Sequence, residues 1–337
     1  MSDKFKVGII GAGRMAYWHL RGYRQMRGVD IVGIAGRTRP NVERLQKKFN
    51  IPNGYTDYKL MLEKHQPDAV NVTTPTYTHC PIVVDSLQAG CHVLCEKPMA
   101  MTVEEADRMI ETEKRTGKML MIGFSQRFYK EFITMKKIID QGKLGNIKVA
   151  WFRRGISMPP QKWYSEKDKS SGVTCELAIH GIDWLRWIMD SPVTQVSAEL
   201  TEHEKYPGID DNIWMILKFE NGAIGVIGAS YTFPFLKRDI GVIGEKMALT
   251  VERSKIILER YGDYSLARLA MKFIKYSFII PYWLYYNPFQ RELEHFIDCI
   301  RTATPPLISS EDGKISLAIA LDALKSARSG LGSHLNY

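Results

Sequence analysis

The sequence lacks the features that mark several large classes of protein. None of its apolar runs is long enough to cross a bilayer. Its first residues, Met1 to Lys6, contain no apolar signal segment, and no stretch is dominated by Lys and Arg. We therefore expect a cytoplasmic protein that does not bind nucleic acid. The 46 basic residues still outnumber the 37 acidic ones, for a net charge of +9, and this excess favours anionic ligands or an anionic surface.

Cysteine is also scarce. The chain has five cysteines, an odd number, and no CxxC pair. We therefore predict buried, reduced thiols rather than a disulfide framework, and no metal site. At 337 residues the chain exceeds the size at which single cores usually stop growing, so we expect two domains.

The first candidate site is a glycine-rich turn near the start of the chain. Residues 6–10 read as a short strand, and a helical pattern follows Ala16. Between them lies a GxGxxA motif, the dinucleotide-binding fingerprint in its strand-turn-helix context. Gly11 permits the tight turn, Gly13 lets the backbone approach a pyrophosphate, and Ala16 allows close packing of the helix on the strand. We expect the cofactor to be bound here by Gly11, Gly13, Arg14, Met15 and Ala16.

The end of the second predicted strand bears on the choice of cofactor. An NAD enzyme usually places a carboxylate there for the ribose hydroxyls, whereas this chain has Gly36-Arg37-Thr38-Arg39. Arg37 can pair with a 2′-phosphate or stack on the adenine, and Thr38 can donate a hydrogen bond. We therefore favour NADP over NAD. The alternative, that Arg37 and Arg39 are ordinary solvated loop charges, stays open.

Two more predicted strands end in polar residues. Residues 69–73 precede Thr74 and Pro75, and the apolar run 91–95 ends at Glu96-Lys97-Pro98. Strands alternate with helices as far as residue 123, which predicts a doubly wound parallel sheet. The carboxyl ends of such strands meet at the edge where ligands bind. Lys97 is therefore the candidate reacting group, with Thr73, Thr74 and Pro75 beside it.

The second half of the chain has a different pattern. Successive extended runs with few helices between them, and the hairpin signal Asn221-Gly222, predict a large, mainly antiparallel open sheet in an α+β domain. Within it, residues 170–188 read as a helix on which Glu176, His180 and Asp183 share one face. If these three side chains face Lys97, they would contact a substrate. A zinc site with Glu176 and His180 as ligands, or a core histidine with two surface carboxylates, remains an alternative.

Together these motifs resemble the glucose-fructose oxidoreductase / inositol dehydrogenase / MocA family. The resemblance also uses His79, Gly123-Phe124 with Arg127-Phe128, and residues 289–296. It implies NAD(P)-dependent oxidation or reduction of a sugar, cyclitol or similar polyol. In that scheme Lys97 protonates or deprotonates the reacting oxygen, its peptide bond to Pro98 is cis, and His180 binds the substrate hydroxyl. Glu176 replaces the family's usual aspartate.

The resemblance extends to domains and site residues. It implies a Rossmann domain over residues 1–123, a substrate and oligomerisation domain over 124–310, and a terminal helix over 311–337 that packs back near the first domain. A homodimer or homotetramer would form through the large sheet. The expected catalytic residues are Lys97, His180 and Glu176. The cofactor would also contact Arg37, Thr38, Thr73, Thr74, Pro75, His79, Glu96, Lys97 and Arg127, and the substrate Lys97, Glu176, His180, Asp183 and Trp163.

One segment does not fit the family pattern. Residues 264–286 combine basic residues on one helical face with apolar and aromatic residues elsewhere. A subunit contact or substrate cover, a helix on a membrane surface, and an aromatic wall for a bulky substrate all fit this composition. For the whole chain, the alternatives to a dehydrogenase are an epimerase or lyase that retains its cofactor, and a cofactor-binding regulatory protein.

Overall fold

A computed structural model describes residues 4–170, 172–252, 255–260 and 287–335. Its first part is a six-stranded sheet in which every neighbouring pair of strands is parallel. The spatial order is β3-β2-β1-β4-β5-β6, the doubly wound order of a dinucleotide-binding fold. The strands are β1 Phe5–Ile10, β2 Val29–Ala35, β3 Gly54–Tyr55, β4 Ala69–Val72, β5 His92–Glu96 and β6 Leu120–Gly123. This confirms the predicted Rossmann architecture.

The connecting helices begin and end at residues that suit those positions. They are α1 Arg14–Tyr23, α2 Arg39–Phe49, α3 Tyr58–His65, α4 His79–Gln88 and α5 Val103–Thr116. The α5 helix starts at Thr102, whose side chain accepts a hydrogen bond from the Glu105 backbone N–H, while the Glu105 carboxylate accepts from the Met101 N–H. It ends at Gly117, which has a φ of 66°.

The second part is an eight-stranded sheet in the order β13-β12-β11-β7-β10-β9-β8-β14. Its neighbours are antiparallel except β7 and β10, which run parallel, so the mainly antiparallel prediction is confirmed. The strands are β7 Ile147–Ser157, β8 Val193–Glu202, β9 Asp210–Phe219, β10 Ile224–Ser230, β11 Thr232–Gly244, β12 Met247–Glu252, β13 Lys255–Arg260 and β14 Ser333–His334. The predicted hairpin at Asn221-Gly222 joins β9 to β10.

Four helices complete the described part of the chain: α6 Lys130–Asp140, α7 Ile179–Met189, α8 Pro288–Thr302 and α9 Ser310–Ser329. One face of the large sheet packs on α7, where Trp184 lies between Phe132 and Phe152 and is fully buried. The α9 helix contacts α5 and β6 of the first sheet and also α7 and β8 of the second. The terminal helix therefore lies against both domains.

The cysteines, the helices and the segment 264–286 each bear on an expectation from the sequence. All five cysteines are free and buried. In the part of the chain that the structure describes, no helix combines the length and the apolar character needed to span a bilayer. The segment 264–286 lies outside the described residues.

Candidate active site

A cavity of about 670 Å³ lies at the carboxyl edge of the parallel sheet and reaches into the second domain. Residues that follow β1 and β2 line one end, and residues from α7 and the large sheet line the other. Among the predicted site residues, the lining includes Gly11, Gly13, Arg14, Met15, Arg37, Thr38, Thr73, Thr74, Pro75, Glu96, Lys97, Trp163, Glu176 and His180. The fold therefore brings most of the predicted residues to one cavity.

The glycine turn has the shape that a dinucleotide requires. Gly11 has a φ of 113°, and a Cβ there would lie 2.6 Å from Thr73 Oγ1, so a larger residue does not fit. A Cβ on Gly13 would meet no heavy atom within 4 Å, which leaves the backbone open to the cavity. Gly13 also precedes α1, a helix without a side-chain cap, so its first N–H groups are available to an anion. The turn fits a dinucleotide pyrophosphate, whereas Ala16 is buried and packs behind it.

Arg37 and Arg39 follow β2 two residues apart and have different surroundings. Arg39 Nε donates to Glu43 at 2.9 Å, and its Nη1 donates to the Gly54 carbonyl at 3.3 Å. Arg37 is exposed and lines the cavity with Thr38. Arg39 is therefore an exposed charge paired with Glu43. Arg37 instead lines the cavity, where a cofactor could reach it.

Lys97 stands at the centre of the cavity wall, at the end of β5. Its Nζ donates to the Glu176 backbone carbonyl at 2.8 Å and lies 3.6 Å from Glu176 Oε2. The side chain is 15% exposed. An ammonium has three donors, so one direction remains available for an oxygen in the cavity. The peptide bond between Lys97 and Pro98 is cis, as the resemblance implied.

Glu176 is held from a second side. Thr76, in the short helical turn after β4, donates its hydroxyl to Glu176 Oε1 at 2.9 Å. Burial raises the pKa of Glu176, while the Lys97 charge and the Thr76 hydrogen bond oppose that rise. Thr76 carries no signal in the sequence, because nothing local to it indicates a partner 100 residues away.

His180 is a neutral imidazole in this setting. Burial, with the charges of Lys97 and Arg154, holds its pKa well below the usual value. Its Nδ1 is buried and has no hydrogen-bond partner among the residues that the structure describes. An unpartnered lone pair costs less than an unpartnered N–H, so the proton belongs on Nε2. His180 can then donate one hydrogen bond to a ligand.

The helix that carries Glu176 and His180 is not regular. Residues Thr174–Ala178 form a π turn, and α7 begins only after it. Of the three residues predicted to share one face, Glu176 and His180 line the cavity and Asp183 does not. The wider π turn changes the angular offset between Glu176 and the residues of α7.

Asp183 pairs with Arg127 instead. Arg127 Nε and Nη2 donate to the two carboxylate oxygens of Asp183 at 3.1 and 2.7 Å, and Nη1 donates to the Leu307 carbonyl at 2.9 Å. Neither residue lines the cavity, and both are buried. This geometry does not support a cofactor contact for Arg127 or a substrate contact for Asp183. Both belong to an ion pair that ties α7 to the turn after β6.

His79 supports the cavity wall from behind. Its two ring nitrogens lie 2.9 Å from the carbonyl oxygens of Thr74 and Pro98, and burial lowers the pKa of the ring. It is not among the lining residues. It therefore positions the loops that carry Thr74 and Lys97, and the predicted direct cofactor contact has no support in this geometry.

Glu96 is fixed by a chain of buried polar groups. Tyr23 donates to Asn71 Oδ1 at 2.8 Å, Asn71 Nδ2 lies 2.7 Å from His19 Nδ1, and His19 Nε2 lies 2.8 Å from Glu96 Oε1. Because the Asn71 amide nitrogen can only donate, His19 Nδ1 accepts from it and the ring carries its proton on Nε2. His19 Nε2 then donates to Glu96. No local sequence pattern predicts this network, because its members lie far apart in the chain.

The far end of the cavity is aromatic. The rings of Trp163 and Tyr164 stack with their centroids 3.8 Å apart, and Tyr231 meets Tyr164 edge to face at 6.3 Å. Burial raises the pKa of both tyrosines, and the Glu176 charge raises it further. Arg154 lines the same end. Only Trp163 among these residues was predicted from the sequence. Tyr164, Tyr231 and Arg154 lie in strands and loops without a motif.

Metal chemistry has no ligand set in this cavity. Within the described ranges, no group of three or more His, Cys, Asp and Glu side chains is arranged to hold a metal ion. Glu176, one of the two residues considered for zinc, is instead engaged with Lys97 and Thr76.

The fold and cavity define a Rossmann-type oxidoreductase, and comparison with known proteins gives its family. Residues 5–124 match the profile of the oxidoreductase family with an NAD-binding Rossmann fold, and residues 132–250 match the GFO/IDH/MocA C-terminal domain. The chain belongs to the Gfo/Idh/MocA family, and it is an NAD-binding enzyme of the dehydrogenase and reductase class. The family resemblance seen in the sequence is thereby confirmed.

Two of the relatives are named for a cyclitol and a sugar derivative. The chain is 28% identical to the myo-inositol 2-dehydrogenase of Thermotoga maritima, over 95% of this chain and 96% of that protein. It is 26% identical to the D-glucoside 3-dehydrogenase of Escherichia coli, over 98% and 97%. A levoglucosan dehydrogenase in complex with NADH and L-sorbose has the same fold, with a TM-score of 0.88 at 21% identity over 99% of each chain.

Proposed function

We propose that this enzyme transfers a hydride between a nicotinamide cofactor and a CH–OH carbon of a sugar, cyclitol or sugar derivative, with Lys97 as its acid and base. The observation that carries the proposal is the position of Lys97 Nζ, held in the cavity by the carbonyl and carboxylate of Glu176 with neutral His180 nearby. The names of the relatives support the substrate class.

The cofactor would lie along the glycine turn. Gly11 and Gly13 would take its pyrophosphate, and Thr73, Thr74 and Pro75 would line the path toward Lys97. When bound, the nicotinamide supplies the hydride chemistry that no amino-acid side chain can supply. The work left to this chain is to orient the substrate and to move one proton.

Lys97 and His180 divide that work. Lys97 has a donor direction free for the reacting oxygen, and exchange of a proton with that oxygen needs only the Nζ atom. His180 donates from Nε2 to a substrate oxygen and fixes the orientation of the hydroxyl. Glu176 keeps Lys97 in place, and its longer side chain is accommodated by the hydrogen bond from Thr76.

We further propose a preference for NADP. Arg37 is exposed at the cavity end that would receive the adenosine, and its neighbours Gly36 and Thr38 add no carboxylate. A guanidinium there favours a 2′-phosphate by charge-assisted hydrogen bonds.

Two further properties belong to the same proposal. The outer face of the large sheet exposes Trp214, Ile216 and Ile224, apolar side chains that a homodimer or homotetramer would cover. The five buried free thiols suit a reducing compartment, so we place the enzyme in the cytoplasm.

Lys97→Met tests the mechanism. The wild-type enzyme is screened with sugars, inositols and sugar derivatives against both NADP+ and NAD+, followed by absorbance of the reduced cofactor. For any active substrate, Lys97→Met should lower kcat by about 10²- to 10⁴-fold, because the proton-transfer group is lost. Cofactor affinity, measured by fluorescence titration, should stay unchanged. Lys114→Met, at an exposed lysine, is the matched control.

Three results would count against the proposal. Unchanged turnover in Lys97→Met would remove Lys97 from the mechanism. Without net cofactor reduction, interconversion of substrate isomers would identify an epimerase, and release of a leaving group with formation of an unsaturated product would identify a lyase. Cofactor binding without turnover of any compound would favour a regulatory protein.

A further inference from the structure

The charges that line the cavity are unbalanced. Among the described residues, four basic side chains line it: Arg14, Arg37, Lys97 and Arg154. The three lining carboxylates are Asp57, Glu96 and Glu176, and each has a partner in the protein. Asp57 accepts from the Lys59 N–H at 2.9 Å, Glu96 is bound by His19, and Glu176 by Thr76 and Lys97.

At the substrate end, Arg154 is the basic residue for which the described part of the chain shows no carboxylate partner. It lies on β7 between β10 and β11, where its backbone pairs with Ala229 and Arg238. The Nε atom is buried and has no hydrogen-bond acceptor in the part of the chain that the structure describes. The carboxylate of Glu131 pairs with Arg238 instead, with 3.7 Å between Glu131 Oε1 and Arg238 Nη1.

The surroundings of Arg154 make its charge costly. Burial and the positive charges of Arg238 and Arg14 lower its pKa, although arginine remains protonated in proteins. A half-buried guanidinium without a counter-ion destabilises the protein unless a ligand supplies the negative charge. Arg154 lines the same cavity as His180 and Lys97, and its charge contributes to the lowered pKa of the His180 ring.

We propose that the substrate is a sugar or cyclitol derivative that carries an anionic group, and that Arg154 binds this group. A carboxylate, as in an aldonic or uronic acid, is the simplest such group, and a sugar phosphate shares the same chemistry. The inference rests on the proposed function and narrows its substrate class. A carboxylate on Arg154 would leave a hydroxyl carbon of the same molecule within reach of Lys97 and His180.

The cofactor is a less suitable partner for Arg154. Arg14 and Arg37 are carried by the Rossmann domain, one in the glycine turn and one after β2, where the cofactor phosphates are expected. Arg154 belongs to the other domain, together with Tyr231 and the π turn that carries Glu176. The stacked rings of Trp163 and Tyr164 at this end suit the apolar face of a sugar ring.

The experiment uses matched sets of compounds. Each neutral sugar or hexitol, such as glucose, galactose or glucitol, is paired with its uronate, aldonate and 6-phosphate, and kcat/KM is measured with NADP+ and NAD+. We expect the wild-type enzyme to prefer the anionic member. Arg154→Gln should lower kcat/KM for that compound about 10- to 100-fold more than for its neutral partner, as expected for loss of a charge-assisted hydrogen bond. Arg154→Lys should restore part of the loss.

Arg153→Gln is the matched control, because Arg153 precedes Arg154 on the same strand and does not line the cavity. It should change neither value. Thermal unfolding of the cofactor-loaded protein with each compound gives a second readout: anionic compounds should stabilise the wild type and not Arg154→Gln. Whether the uronates and aldonates or the phosphates respond identifies the group.

Three outcomes would overturn the inference: preference for the neutral members, equal losses for neutral and anionic members in Arg154→Gln, or a weaker cofactor affinity as the only effect. Turnover of neutral polyols that depends on Lys97 and not on Arg154 would leave the proposed function intact. If no compound is turned over, the proposed function fails, and equal thermal shifts in wild type and Arg154→Gln would then also reject the anion site.

Discussion

The ion pair between Arg127 and Asp183 gives a sharp test of how α7 is held against the turn that follows the parallel sheet. Arg127 lies in the helical turn after β6, Asp183 lies on α7, and the same guanidinium reaches the Leu307 carbonyl and Asp312 Oδ1, the latter at 3.3 Å. The side chains of Arg127 and Asp183 are 5% and 1% exposed. Replacing Arg127 by Met removes the cation and leaves the carboxylate buried.

The expected cost follows from that burial. Removing one member of a buried pair typically costs about 3–5 kcal/mol of unfolding free energy, because the other charge is left uncompensated. Burial already raises the pKa of Asp183 against the opposing effect of Arg127, so in Arg127→Met the carboxyl should take up a proton. The double variant Arg127→Met, Asp183→Leu should be more stable than Arg127→Met alone, since apolar pairs often replace buried ion pairs at little cost.

Urea unfolding followed by tryptophan fluorescence measures these differences, with Arg115→Met as an exposed control. Cofactor affinity is measured in parallel. If Arg127→Met unfolds at the same urea concentration as the wild type but binds the cofactor much more weakly, the cofactor contact inferred from the sequence is right and the structural role is refuted. A double variant less stable than the single one would refute the argument from the uncompensated charge.

Two further predictions address other parts of the molecule. Arg37→Gln should raise the Kd of NADP+ by about tenfold or more and leave that of NAD+ unchanged, as measured by fluorescence titration; equal effects on both would contradict the proposed 2′-phosphate contact. Glu292 is buried with both carboxylate oxygens unpartnered among the described residues, and burial beside Glu96 raises its pKa well above the usual value. Because the folded state holds this proton more tightly, the wild type should lose up to about 1.4 kcal/mol per pH unit relative to Glu292→Gln as pH rises from about 4.3 toward the folded-state pKa. Parallel pH profiles of urea stability would disprove that assignment.

The features that the sequence predicted are those that short segments determine. Gly11 and Gly13 act through their own backbone, so their motif identifies them wherever they occur. The strand that ends at Glu96-Lys97-Pro98 is a continuous apolar run, and its position at the sheet edge follows from strand-helix alternation. For the same reason the parallel sheet, the hairpin at Asn221-Gly222 and the large antiparallel sheet could be anticipated.

The features that the sequence did not predict depend on distant partners. Asp183 has the spacing of a site residue, and only the position of Arg127 shows that it is occupied elsewhere. Thr76 matters because Glu176 faces it, and the π turn that aims Glu176 has no recognisable local signature. Arg154 is distinguished by the absence of an acceptor for its Nε in the described part of the chain. Such an absence becomes visible only after the fold has assembled the neighbouring charges.

The same division explains why the candidate site depends on domain packing. Lys97 comes from the edge of the parallel sheet, whereas Glu176 and His180, which hold it and flank it, come from the second domain. The cofactor turn, by contrast, is complete within the first domain, since Gly11 packs on Thr73. A change that loosens the interface should therefore lower kcat before it lowers cofactor affinity. The pair of Arg127 and Asp183 anchors α7, which carries His180, to the turn that follows β6. Variants of this pair should therefore lose turnover while the protein is still folded enough to bind its cofactor.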